Sequence, residues 1–131
     1  TRLKAVPAFD ALELSSGENN LFGTATDNNR HFTSFSACYG THGKLADPKL
    51  IQLMNPLNYI GNNHAVTAKY WRIRHGSKDR DTTLAIPLIL ATKLANNGAQ
   101  VDFASAWEKG HAGDYDLPEH FAWADKISHA K

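Results

Sequence analysis

The order strand, helix, strand, helix across residues 67–131 constrains this chain more than any other feature. Lys69-Tyr70-Trp71-Arg72-Ile73-Arg74-His75 is rich in β-formers and alternates Trp71 and Ile73 against Arg72 and Arg74, the period of a strand. Gly76 ends it. Residues 83–96 follow a helical rhythm, with Leu84, Leu88, Ala91 and Ala95 on one face and Asn97-Gly98 as the stop. Pro87, one turn in, predicts a kink or a restart. Residues 100–107 read as a second strand, followed by the loop Gly110-His111-Ala112-Gly113-Asp114. A closing helix starts at Pro118, a residue suited to the first helical position. Alternating strands and helices imply a parallel α/β sheet. Two strands cannot make an independent doubly covered sheet, so this half reads as a portion of a larger core.

Residues 1–66 have a different texture. Asparagine and glycine are dense in Glu18-Asn19-Asn20, Asp27-Asn28-Asn29 and Gly61-Asn62-Asn63, and apolar periodicity is short. One short helix is expected after Asp47-Pro48, capped by Asp47 and stopped before Pro56. Such a segment makes a poor core by itself and reads as an insertion packed on something else.

The chain of 131 residues has 14 basic and 13 acidic side chains and no block of like charge. This balance argues against a nucleic-acid or membrane-surface partner. The longest strongly apolar run, residues 84–91, is far below the ~20 residues that span a bilayer. Thr1 is not an initiator methionine, so the chain reads as a piece whose true N-terminus lies elsewhere. A single cysteine, Cys38, excludes an intrachain disulfide and a cysteine metal cluster, and does not fix a compartment. Trp71, Trp107 and Trp123 are expected in the core. His31, His42, His64, His75, His120 and His129 show no metal-ligand spacing, so no metal site is expected.

Two residues carry chemistry. Asp79 follows the first strand and His111 the second. In open α/β sheets ligands bind beyond the carboxyl ends of the strands, so both emerge at the functional edge. Acid then histidine is the order in which an α/β-hydrolase presents the last two members of Ser…Asp…His. A serine hydroxyl needs an imidazole to take its proton, and the imidazole needs a carboxylate to fix its tautomer. No Gly-x-Ser-x-Gly elbow occurs among the seven serines. The same residues also suit blander roles. An Asp after a strand often caps a helix, Asp81 before Thr82-Thr83 is placed for that, and a histidine among glycines is often a solvated loop residue. Asp114 and Asp116 suit a turn or the start of a helix better than a cation site.

The stretch Trp71-Arg72-Ile73-Arg74-His75-Gly76-Ser77-Lys78-Asp79-Arg80-Asp81-Thr82 resembles the C-terminal pattern of the bacterial tannases and related esterases. The resemblance continues through Ala91-Thr92-Lys93-Leu94, His111-Ala112-Gly113-Asp114-Tyr115-Asp116 and Phe121-Ala122-Trp123. In the first half it includes Val6-Pro7-Ala8-Phe9-Asp10 and Ser15-Ser16-Gly17-Glu18-Asn19-Asn20-Leu21-Phe22-Gly23-Thr24. It implies the C-terminal portion of an α/β-hydrolase core, residues 67–131, preceded by the end of an irregular lid segment, residues 1–66. By the same resemblance Asp79 is the triad acid, His111 the triad base, and Lys4, Glu18 and Asp81 contact galloyl hydroxyls.

The expected activity is hydrolysis of galloyl or other phenolic acid esters, without a cofactor. The expected partners are a small phenolic ester and the upstream part of the same hydrolase, which carries the serine. The chain alone is expected to be inactive. A feruloyl or general carboxylesterase is the nearest alternative. A non-catalytic binding module is the rival from another class, and a Gly-x-Ser-x-Gly upstream of Thr1 would separate it from the esterase.

Overall fold

The computed structural model describes residues 9–27, 29–40 and 44–130. They divide into two compact units, 9–65 and 66–130.

In the first unit three short helices, Gly17–Leu21 (α1), Ser34–Tyr39 (α2) and Pro48–Met54 (α3), are joined by turns. Each begins with a side chain that accepts a backbone N–H: Ser16, Thr33 and Asp47 respectively. The Asp47 cap and the stop before Pro56 are as the sequence predicts. The centre of this unit is polar. Asp10 Oδ1 accepts from Asn19 Nδ2 at 2.7 Å and from His31 Nδ1 at 2.8 Å. Its Oδ2 accepts the N–H groups of Phe32 and Thr33, both at 2.8 Å, and the Thr33 hydroxyl at 2.9 Å. Burial alone would raise the Asp10 pKa, but the bonds from His31, Asn19, Thr33 and Phe32 hold it below the usual carboxylate range. Gly40 closes the hub, since a Cβ there would lie 2.6 Å from His31 Nε2. The buried apolar residues Ala11, Leu14, Phe22, Ala46 and Ile60 are scattered around this hub of an aspartate, an asparagine and a histidine, and leave no apolar rhythm to read.

In the second unit Tyr70–Gly76 (β1) and Gln100–Ala106 (β2) pair in parallel, in register from Tyr70 with Gln100 to Gly76 with Ala106. Ala85–Asn96 (α4) is the crossover, and Leu117–Ser128 (α5) follows β2. Pro87 is the third residue of α4, within the first turn, where a helical N–H has no intrahelical partner to lose. The helix runs on from there to Asn96. Its buried residues are Pro87, Ala91 and Leu94, so the inward stripe is turned from the expected one; Leu84 and Leu88 are exposed, as is Ala95. The expectation for Trp107 is also corrected: it lies just past β2 and is 82% exposed.

Arg72 and Arg74, polar by alternation, are half-buried on one face of β1 and neutralised there. Arg72 grips both carboxylate oxygens of Asp116, and Arg74 Nε donates to Asp116 Oδ2 at 3.0 Å. Arg74 also donates through Nη2 to Asp102 Oδ2 at 3.0 Å. Hydrogen bonds from Arg72 and then Arg74 pull the Asp116 pKa down to about 2. Asp116 sits at the N-terminus of α5, so this network ties that helix to the sheet.

Candidate catalytic site

Two loops leave the carboxyl ends of the strands side by side, residues 77–82 after β1 and residues 107–115 after β2. Hydrogen bonds hold the first against the end of β2 and the second loop. Ser77 N donates to Ala106 O at 2.9 Å, Lys78 N to Lys109 O at 2.8 Å, and Glu108 N to Ser77 Oγ at 2.7 Å. Gly76 makes the approach possible. A Cβ at that position would meet Gly110 O and Lys109 O, each at 2.3 Å, and Lys109 C at 2.7 Å. Glu108 turns the second loop with φ at 58°, in the left-handed region.

Asp79 stands in the first loop with a side chain only 6% exposed. Its Oδ1 accepts the N–H groups of Asp81 at 2.8 Å and Thr82 at 3.1 Å, which fixes the carboxylate plane. Its Oδ2 accepts from His111 Nδ1 at 3.0 Å. The Asp79 Oδ1 bonds make a local turn rather than a helix cap, since α4 begins beyond it without a side-chain cap. Burial would raise the Asp79 pKa, but hydrogen bonds from His111 and from the Asp81 and Thr82 amides, with the charge of His111, hold it low. An ionised carboxylate only accepts, so His111 carries a proton on Nδ1, and the neutral ring can take a further proton only at Nε2. That is the tautomer a general base requires. His111 itself is well exposed, at 59% of its side chain.

His75, the penultimate residue of β1, backs the acid. It is buried, its Nε2 donates to Thr82 O at 2.9 Å, and the same nitrogen lies 3.6 Å from Asp79 Oδ2. The alternation of β1 marks His75 as a strand residue and gives no hint of this contact. Gly76 and Ser77 were equally invisible, because their roles depend on the loop that follows β2.

The remaining candidates are spread out. Lys4 lies outside the described residues. Glu18 is in the first turn of α1, in the unit that does not carry Asp79. Asp81 is half-buried beside the acid, and Asp79, Asp81 and His111 each offer a ligand atom within 4.8 Å of the others. That set could hold a cation, although exposed acidic groups commonly cluster without one. Two concave surfaces of the same unit lie elsewhere. One, about 500 Å³, opens at the start of the strands beside Tyr70, Gln100, Trp123 and Lys126; the other runs along α4.

No family model and no curated protein matches the chain. Solved structures do. A tannase from Lactobacillus plantarum is 53% identical over 97% of this chain and 27% of its own, with a TM-score of 0.86. A tannin acyl hydrolase in complex with ethyl gallate matches at 53% identity over 97% of this chain and 28% of its own, with a TM-score of 0.84. A tannase from Fusobacterium nucleatum is 50% identical over 92% of this chain and 26% of its own, with a TM-score of 0.80. The chain thus spans about a quarter of the length of the structures it matches. Along that quarter the chain is similar, in sequence and in fold, to the tannases of Lactobacillus plantarum and Fusobacterium nucleatum.

Proposed function

We propose that this chain is the C-terminal catalytic segment of a tannase-like serine ester hydrolase acting on galloyl esters. In this reading residues 67–131 complete an α/β-hydrolase core and residues 1–66 are the end of its lid. Asp79 orients His111, and His111 takes the proton of a serine supplied by the remainder of the hydrolase, then returns it to the leaving alcohol. Lys4, Glu18 and Asp81 meet the phenolic hydroxyls of the acyl ring. A phenol donates well to a carboxylate, which accounts for two acids at the ring and a lysine to offset their charge.

The observation that carries the reading is the Asp79–His111 contact, made by a buried, amide-held carboxylate and an accessible imidazole at the carboxyl edge of a parallel sheet. The similarity to a tannin acyl hydrolase holding ethyl gallate supports the ester class. The test is methyl gallate hydrolysis by the complete hydrolase and its His111→Ala variant. Loss of kcat by several orders of magnitude in a folded protein is expected. Near-normal turnover would remove His111 from the mechanism.

A further inference from the structure

The loop that carries His111 lies at the surface. Residues 111–114 are exposed, and a Cβ at Gly110 or Gly113 would meet nothing within 4 Å. A general base in such a loop needs some restraint of its backbone, or its imidazole would sample positions away from the carboxylate. Tyr115 supplies a candidate. Its hydroxyl donates to Gly110 O at 2.5 Å and accepts from Ala112 N at 3.1 Å. These are the carbonyl immediately before His111 and the amide immediately after it. One oxygen thus bridges the two peptide groups that flank His111, and closes a ring whose only soft backbone torsions are φ and ψ of His111. At its other end Tyr115 adjoins Asp116, which Arg72 and Arg74 hold to β1.

From this geometry we infer that Tyr115 is the positioning residue for His111, acting through its hydroxyl on the histidine backbone. The inference rests on the proposed role of His111 as the base. The hydroxyl clasp fixes the backbone that carries the imidazole, and the Asp79 bond orients the ring and sets its tautomer. Neither replaces the other, since the Asp79 bond acts on Nδ1 and the clasp on the peptide groups either side of His111.

Tyr115→Phe in the complete hydrolase removes one oxygen and keeps the ring. It should lower kcat for methyl gallate by about 10- to 100-fold, the scale of a displacement of about 1 Å in a catalytic group, and leave KM within about twofold. The melting temperature should stay close to wild type. His111→Ala, measured beside it, separates the two readings. If that variant is inactive while Tyr115→Phe keeps full kcat, the clasp is overturned and the base assignment stands. If His111→Ala is itself active, the base assignment falls and takes the inference with it. A fall in kcat matched by an equal rise in KM and a large loss of thermal stability also overturns the inference, because it marks a general structural role. As a second readout, the His111 imidazole resonances in Tyr115→Phe should broaden or split; an unchanged single sharp set would contradict a loosened histidine.

Discussion

Gly76→Ala tests how the two loops are held together. The added Cβ would come 2.3 Å from both Gly110 O and Lys109 O, and these are backbone atoms that cannot rotate away. An ordinary contact needs about 1 Å more, so one loop must retreat from the other by about that distance. The Lys78 N bond to Lys109 O is 2.8 Å, and such a retreat would take it out of hydrogen-bond range. Forced overpacking costs ~1–3 kcal/mol and a lost backbone bond ~1 kcal/mol, so a total of about 2–4 kcal/mol is expected. Displacing His111 from Asp79 by about 1 Å should lower kcat by ~10²-fold. The assay is kcat for methyl gallate and the thermal midpoint of the complete hydrolase. Gly113→Ala is the control, because open space surrounds its Cβ. Wild-type kcat and midpoint in Gly76→Ala would refute the close approach as the device that joins acid and base. A loss in Gly113→Ala equal to that in Gly76→Ala would refute the steric reasoning.

Other outcomes follow from single contacts. Glu18→Ala and Asp81→Ala in the complete hydrolase should each reduce kcat/KM for methyl gallate by ~10–150-fold and barely change that for methyl benzoate, which has no ring hydroxyls; equal fractional losses on the two esters would point to a general carboxylesterase. Asp10→Ala strips the acceptor from His31, Asn19 and two backbone amides, and should destabilise residues 9–65 by ~3–5 kcal/mol; limited proteolysis should then cut that unit first, and unchanged resistance would contradict the polar hub. Asp116 has a depressed pKa, so its contribution is present above the ordinary carboxylate value of 3.8 and disappears as pH falls toward about 2. Asp116→Asn should therefore flatten the fall of the melting temperature across that window, and an unchanged acid limb would show that the arginine network does not stabilise the fold.

The sheet portion was legible in the residues because its signals are local. Alternation from Tyr70 to His75 marks β1, the rhythm ending at Asn97-Gly98 marks α4, and Pro118 marks the start of α5, each within a residue or two of its observed bounds. Chain order also made Asp79 and His111 candidates, because a parallel sheet sends every strand's carboxyl end to the same edge, and the resemblance to the tannases singled them out as a pair. Nearness in space had other causes. Asp79 and His111 are 32 residues apart, and they meet because Gly76 admits the backbone of residues 109–110, Ser77 accepts the Glu108 amide, and Tyr115 closes the histidine loop. The buried stripe of α4 and the exposure of Trp107 likewise depend on which neighbours cover each face. Nor could composition alone reveal the hub of residues 9–65, whose Asp10, Asn19 and His31 look like surface residues until their hydrogen bonds are drawn. By itself the sequence determined the elements, their order and two candidate residues at the carboxyl edge of the strands, since propensity, periodicity and strand direction act over a few neighbouring residues. Tertiary structure decided which polar groups are buried and which loops touch, since hydrogen bonds and steric contacts between distant segments depend on positions in space that no local pattern encodes.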